Sequence, residues 1–352
     1  MAKSQNLVTK TPPKKINVAV VGATGIVGQE FIKILEETKF PVDTLKLFAS
    51  EKSAGEEIKF QSQKIKVEIL KPGCFKGVHC AFFSAGNPIS REWGPRAVSE
   101  GAFVIDNSSA FRMDKNTSLI IPEVNGDLIP KDLSKPQLIA NPNCSTIQLV
   151  VALEPLHNSF GLKNVTVATY QSVSGAGREG IEELRNQTKA FLQNEREIPP
   201  VTFSHSIAFN NIPQIDKFDE SGFTLEELKV MNETKKIMNL PHLDISTTAV
   251  RTPTLNSHSE AVWIEIEKIV DRAEIIDCLK NAPGITIQDD PKNQIYPLAR
   301  SASGLDDVFI GRIRRDITNQ KRWLFWVVSD NVRKGAALNG IQIAQCLFRV
   351  AR

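Results

Sequence analysis

With 352 residues, 41% of them hydrophobic and 24% charged, the chain has room for two domains of ordinary globular composition. A net charge of +3 without a basic block argues against nucleic acid or an anionic membrane as partner, and no apolar run approaches the roughly 20 residues that span a bilayer. Five scattered cysteines, Cys74, Cys80, Cys144, Cys278 and Cys346, lack both the even count of a disulfide framework and the CxxC spacing of a zinc site, so no metal is expected and a reducing cytoplasm fits. Residues 1–15 bear lysines, have no secretory apolar core and read as a disordered tail; a stretch this short and without arginine gives little support to organelle targeting. From Ile16 to about Ala140, apolar strands (INVAVV, LKLFA, VHCAFF, FVIDNS, QLIA) alternate with helical segments such as GQEFIKILEE. That alternation predicts an α/β domain with a Rossmann-like, doubly wound parallel sheet. After Cys144 the strands lengthen and alternate (NVTVATYQSV, DISTTAVRT, EAVWIEIEK, RWLFWVVSD), which predicts a second, α+β domain with a mostly antiparallel sheet. The last segment, RKGAALNGIQIAQCLFRV, has helical spacing and is expected to return to the first domain. The expected division is therefore 16–143 with 332–352, and 144–331.

INVAVVGATGIVGQEF sets Gly22, Gly25 and Gly28 between a strand and a helix, so backbone amides and a helix N-terminus are free to face a phosphate. The spacing is GxxGxxG, looser than GxGxxG, and a strand–helix turn that needs glycine only for packing is the plain alternative. At the end of the next strand, FASEKSAG offers Ser50, Lys52 and Ser53 to a 2′-phosphate, with Glu51 as a conflicting signal; on balance the set favours NADP as cofactor.

In IANPNCSTIQLVVALEPL, Pro142 and Asn143 break an apolar run, and Cys144 stands where a helix begins. The positive end of a helix dipole favours a thiolate, which makes Cys144 the candidate nucleophile. YQSVSGAGREG follows with Gln171 at a strand end and a flexible bend at Ser174, Gly175 and Gly177; for Gln171 a structural hydrogen bond competes evenly with a functional one. AVRTPTLNSHSEAV presents Arg251, whose planar fork suits a carboxylate, and His258, the candidate general acid and base, on either side of a proline-containing connection. TLEELKVMNETKKI reads as a helix with Thr224 as N-cap and Glu227 completing a capping box. Glu226 and Lys229, three apart on one face, read from spacing alone as an exposed ion pair.

Together, VAVVGATGIVGQEF, FSAGN, DNSSAFR, NPNCSTIQLVVALEPL, TYQSVSGAG, the EELK helix, RTPTLNSHSE and WVVSDNVRKGAA resemble, in order and over nearly the whole chain, the aspartate-β-semialdehyde dehydrogenase family. The resemblance implies NADPH-dependent reductive dephosphorylation of β-aspartyl phosphate, reversible, in the route to lysine, methionine and threonine, by a homodimer. It implies that Cys144 is the nucleophile, His258 the acid/base and Gln171 the residue that orients the substrate. Arg251 would meet the substrate carboxylate, Glu226 its ammonium, and Lys229 with Arg112 its phosphate. Cofactor contacts would come from Gly22, Thr24, Gly25, Ile26, Val27 and Gly28, from Ser84, Ala85 and Gly86 of FSAGN, from Ser174, Gly175 and Gly177, and from Asn331 on the nicotinamide side. The chain departs from the pattern in its N-terminal extension and in FLQNEREIPPVTFSH, which the resemblance does not place. One rival is N-acetyl-γ-glutamyl-phosphate reductase, whose substrate has no ammonium for Glu226 and whose usual NPGCY differs from NPNCST. A second is a cysteine hydrolase or acyltransferase, which needs only Cys144 and His258 and leaves the nucleotide-binding half without a use; a third is a non-catalytic nucleotide-binding protein on the same fold, against which the intact set of reactive residues argues.

Overall fold

A computed structural model describes residues 12–351; of the N-terminal tail read from the sequence, residues 1–11 lie outside the described residues. Two compact units divide the chain, one built from residues up to Thr24, Gly28–Asn141 and Gly340 onward, the other from Gly25–Val27 and Pro142–Asn339. Among the described residues no helix is long and apolar enough to cross a membrane.

The first unit contains β1 (Ile16–Val21), most of α1 (Ile26–Glu37), β2 (Val42–Phe48), β3 (Glu57–Phe60), β4 (Gln63–Glu68), β5 (Cys80–Phe83), α2 (Asn87–Ser99), β6 (Phe103–Asp106), β7 (Ser118–Leu119), α3 (Pro122–Asn125) and β8 (Leu138–Ala140). Its eight strands run β3-β4-β2-β1-β5-β6-β8-β7, all paired in parallel except the β3–β4 hairpin at one edge. Hydrophobic runs with no polar alternation, such as the fully buried β5 and β6, are what a sheet covered on both faces requires. The chain moves from β1 outward to β2 and later returns to the other side of β1 as β5. The ends of β1 and β5 thus form the crevice where doubly wound sheets take their ligands.

The second unit opens with α4 (Cys144–Phe160), followed by β9 (Leu162–Gln171), α5 (Gly177–Leu192), α6 (Leu225–Ile237), β10 (Asp244–Arg251), β11 (His258–Ile266), α7 (Arg272–Lys280), β12 (Ile285–Ile287), α8 (Ala299–Ala302), β13 (Val308–Arg315) and β14 (Arg322–Ser329). The six strands run β10-β9-β11-β14-β13-β12. Most pairs are antiparallel as the sequence predicts, but β9–β10 and β12–β13 are parallel, because helices rather than tight turns connect them. Every residue of α4 from Ser145 to Leu153 is buried. A helix apolar all round is a core helix, and α4 packs against β9, β11 and β14 on one side and α6 and α7 on others. After a π-helical turn at Arg333–Ala337, α9 (Leu338–Phe348) carries the chain back into the first unit, where Phe348 meets the Phe103 ring edge-on at 6.2 Å.

Candidate active site

Strand register assembles the site. β9 and β10 are parallel with Gln171 opposite Arg251, so both end at the same level. β11 runs antiparallel to β9 with Ser259 opposite Tyr170, so its first residue, His258, starts where the other two stop. Three strand ends thereby deliver an amide, a guanidinium and an imidazole, all buried, to one place. The bend after β9 lies flat over them. A Cβ at Gly175 would stand 2.9 Å from Arg251 Nη1 and 3.3 Å from His258 Cε1, so only glycine lets the backbone approach this closely.

Cys144 is the first residue of α4 and half-buried. Its helix is capped by Asn143, whose Oδ1 accepts from the amides of Ser145 (3.0 Å) and Thr146 (3.2 Å). A Cβ at Gly335 would come within 2.9 Å of the Cys144 Cβ, so the backbone of the π-helical turn forms one wall beside the thiol. Helix α6 holds the cap from the other side. Glu226 Oε1 accepts from Asn143 Nδ2 (2.8 Å) and Gln171 Nε2 (3.3 Å), and Glu233 Oε2 accepts from the Asn143 amide (2.7 Å). Glu226 also reaches Lys229 (3.3 Å), whose ammonium donates to Asp216 (2.8 Å). The Glu226–Lys229 pair expected at the surface is therefore a buried carboxylate with a largely covered lysine.

Charges follow from these contacts. Burial works against the Lys229 ammonium, but Glu226 and Asp216 outweigh it and hold the lysine above its ordinary value. Burial likewise lowers Arg251, opposed by Glu226 and by the Cys144 thiolate, so that guanidinium and sulfur lie within electrostatic reach of one another. His258 is fully buried; desolvation and the Arg251 charge push it well below the usual 6.5, so the ring is neutral at physiological pH. Arg251 also donates Nη1 to the Ser172 carbonyl (2.7 Å) and lies over the Phe203 ring at 5.7 Å. Phe203 belongs to the loop after α5 that the sequence does not place. That loop is tied back by the amides of Val201 and Thr202 donating to Glu183 Oε2. A polar cleft of about 310 Å³ opens here, lined by Arg251, Asp216, Gln214, Ser204, Thr202 and Phe203 among others.

The nucleotide-loop residues are in the first unit except Gly25–Val27. Gly22 has φ +86°, and a Cβ there would overlap the Ser84 carbonyl at 2.4 Å; a Cβ at Gly28 would overlap the Gly22 carbonyl at 2.1 Å. The loops after β1 and β5 thus touch along their backbones. Helix α1 has no acidic residue in its first turn, and α2 starts at Gly86 (φ +84°) with no side-chain cap. Two helix starts at neighbouring strand ends, free of capping carboxylates, fit a dinucleotide's pyrophosphate. Ser50 precedes a single 3-10 turn, Glu51–Ser53, beyond β2, where Glu51 and Lys52 are exposed. Arg112 is buried in the first unit and donates Nη2 to the Asn107 carbonyl (2.8 Å).

Comparison with known proteins agrees with this geometry. Two family models match, "Semialdehyde dehydrogenase, NAD binding domain" over residues 17–131 and "Semialdehyde dehydrogenase, dimerisation domain" over residues 153–334. The aspartate-semialdehyde dehydrogenase of Bacillus subtilis is 52% identical over 345 residues, covering 95% of this chain and 98% of its own. This chain belongs to the aspartate-semialdehyde dehydrogenase family. Among solved family structures, aspartate semialdehyde dehydrogenase II of Vibrio cholerae complexed with ASA matches with a TM-score of 0.92 at 43% identity, over 97% of this chain and 100% of that one. The Candida albicans enzyme with NADP matches with a TM-score of 0.74 at 25% identity, over 95% and 98%. As an aspartate-semialdehyde dehydrogenase family member the chain is an oxidoreductase with a nicotinamide-nucleotide-binding domain.

Within the second unit the structure brings together Gln171, Arg251, His258, Glu226 and Lys229, with Cys144 joined to them through its cap Asn143. Sequence reasoning missed Asp216, Ser172 and Glu233. None of the three carries a signal in the sequence; the left-handed backbone of Asp216 (φ 69°) shows only in the structure. Ser174 and Asn331, expected at the cofactor, are bonded to one another here (2.9 Å).

Proposed function

We propose that the chain catalyses the reversible, NADPH-dependent reductive dephosphorylation of β-aspartyl phosphate to aspartate β-semialdehyde through a thioester on Cys144. The observation that carries this reading is the meeting of a buried carboxylate, a buried guanidinium and a neutral imidazole beside a helix-start cysteine. A substrate with an ammonium, a carboxylate and an acyl phosphate uses every one of them. Arg251 takes the α-carboxylate in its planar fork, Glu226 the α-ammonium, and Lys229 with Arg112 the phosphate. Gln171, held by Glu226, orients the acyl group.

Cys144 sulfur attacks the acyl carbon, the bond to the phosphate oxygen breaks, and phosphate leaves with the electron pair. NADPH, when bound, supplies a hydride to the thioester carbonyl carbon. His258, as the acid/base, would stabilise the oxygen on which negative charge then develops, and collapse of that intermediate returns the electron pair to sulfur and frees the aldehyde. The pyrophosphate cradle would be Gly22, Thr24, Gly25, Ile26, Val27 and Gly28 with Ser84–Gly86, and Ser50, Lys52 and Ser53 would read a 2′-phosphate; NADP in the Candida albicans relative supports that preference.

The reading extends to a homodimer formed through the uncovered face of the six-stranded sheet. There the Tyr170 and Trp326 rings meet at 5.4 Å, tilted by 46°, beside an apolar cleft of about 300 Å³ lined by Ala261, Trp263, Tyr296, Leu298 and Trp326. Five free thiols suit the reducing cytoplasm in which this reaction would run. The test is NADPH formation from aspartate semialdehyde, NADP and phosphate, with N-acetylglutamate semialdehyde as control. Turnover of the first substrate alone is expected; turnover of the control instead, or no phosphate dependence, would overturn the assignment.

A further inference from the structure

The ammonium of Lys229 is held on two sides. Its Nζ donates to Asp216 Oδ2 at 2.8 Å and to Glu226 Oε2 at 3.3 Å, the shorter bond coming from outside its own helix. Glu226 is shared, since its Oε1 accepts from Asn143 and Gln171, whereas Asp216 Oδ2 serves the lysine. An ammonium carries three N–H groups on a tetrahedral nitrogen, so two fixed bonds stop rotation about Cε–Nζ and give the third a single direction. The third N–H has no partner among the described residues, and 26% of the lysine side chain is exposed, so this donor is open to a ligand.

Backbone bonds on both sides place Asp216 for this contact. Ile212, earlier in the same loop, exchanges two backbone hydrogen bonds with Arg251 at the end of β10 (2.9 and 2.8 Å), and its buried side chain packs with Val173, Leu184 and Ile207. Lys217, directly after Asp216, accepts at its carbonyl from the amide of Leu225, the first residue of α6 (2.8 Å). Asp216 itself turns through φ 69°, a left-handed conformation that aspartate and asparagine tolerate better than most residues. Its Oδ1 accepts from the Lys217 amide (2.9 Å), which leaves Oδ2 for the lysine. One segment thus joins the strand end that presents Arg251 to the helix that presents Lys229, and Asp216 stands with Arg251 in the wall of the polar cleft.

We propose that Asp216 is a positioning residue for Lys229: it fixes the ammonium so that the remaining N–H meets inorganic phosphate, or the phosphate of an acyl phosphate, in one orientation. The proposal rests on the reading above in which Lys229 takes the phosphate. Simple charge makes the opposite prediction, because a second carboxylate beside a phosphate-binding lysine repels the anion and its removal should tighten phosphate. Positioning outweighs repulsion here. The repulsion acts across a cleft open to water, where screening is strong, while the charge-assisted 2.8 Å bond decides where a flexible four-carbon side chain puts its charge.

The test follows NADPH formation from aspartate semialdehyde as phosphate is varied, in the parent, Asp216→Gly and Asp216→Asn. Glycine takes the left-handed backbone freely and removes the carboxylate; asparagine tolerates it and keeps an acceptor oxygen. Asp216→Gly is expected to raise KM for phosphate about tenfold or more while KM for aspartate semialdehyde changes less than about threefold, and Asp216→Asn to stay within about threefold of the parent for both. A fall in KM for phosphate in Asp216→Gly, equal rises in both KM values, or the same loss in both variants would overturn the proposal. A second measurement needs no turnover: 1H–15N NMR of the lysine-labelled protein without substrate or cofactor, the Lys229 Nζ signal assigned by its loss in Lys229→Met. The parent should show an exchange-protected ammonium that shifts on adding inorganic phosphate, and Asp216→Gly should lose the protection. A parent signal that is unprotected, or indifferent to phosphate, would overturn the proposal whether or not the protein turns over, whereas a parent without phosphate-dependent turnover would overturn the substrate reading.

Discussion

His258 and Glu260 lie two apart on β11, both fully buried, and burial moves them in opposite directions toward the same neutral state. Desolvation first, then Arg251, lowers His258; desolvation raises Glu260 well above the usual 4.5, outweighing the opposing effect of the Gln148 side chain. The stability consequences have opposite signs. Unfolded His258 takes a proton as pH falls through about 6.5 and the folded ring does not, so the contribution is complete above that pH and lost on acidification. Unfolded Glu260 gives up its proton as pH rises through about 4.5 and the folded carboxyl keeps it, so its contribution is complete below that pH and lost as pH rises toward the folded value. Glu260→Gln, an isosteric neutral group, should therefore melt within a degree or two of the parent near pH 4 and increasingly above it as pH rises to 8. Thermal melts across that range check the sign, and a constant difference would show that Glu260 is ionised in the fold. Period-2 alternation along HSEAVWIEI sets Glu260 on the face of His258, Val262 and Ile264, all buried, although the sequence reading singled out only His258 there.

Asn143 links the start of α4 to α6. As a cap it satisfies two amides, and through Nδ2 it holds Glu226. Asn143→Ser keeps a good cap and loses the bond to Glu226, whereas Asn143→Asp keeps the cap and sets a carboxylate against Glu226 Oε1, 2.8 Å from the replaced atom. Asp should thus be the less stable of the two by about 1 kcal/mol or more, although both cap isolated helices well, and denaturant unfolding measures the difference. Equal stability would show that the α4–α6 contact contributes nothing. The junctions themselves were readable from sequence: proline and asparagine before Cys144, the capping box at Thr224, the proline loop before His258. Their partners depend on register. The parallel β9–β10 pairing that sets Gln171 beside Arg251 is fixed by the long α5–α6 excursion, and the same excursion brings Asp216 and Phe203 to the site from loops with no periodic signal. The β3–β4 hairpin and β12 also went unread, being short or at sheet edges, where little burial marks them; β13, an internal strand of eight residues, went unread as well, its buried first half followed by an arginine-rich second half.

The doubly wound unit was the most legible part of the molecule, because strands buried on both faces and a glycine turn at β1 leave uninterrupted apolar runs. The second unit reads less clearly, since one face of its sheet is uncovered and carries aromatic residues that the alternation alone assigns to solvent. If that face joins two copies, Trp326→Glu should shift the protein toward monomer in sedimentation velocity; an unchanged sedimentation coefficient would move the interface elsewhere. The central claim is that Cys144, alone among five free cysteines, carries the acyl group. Cys74 and Cys80 are buried and raised by desolvation, and Cys278 bonds to the Pro155 carbonyl. The most direct measurement is intact-protein mass spectrometry with peptide mapping after mixing the protein with β-aspartyl phosphate in the absence of NADPH. An aspartyl adduct on the Cys144 peptide is predicted, discharged on adding NADPH and absent in Cys144→Ser, whose turnover should fall on the order of a thousandfold; an adduct on another residue, or a Cys144→Ser protein with near-normal turnover, would contradict the mechanism.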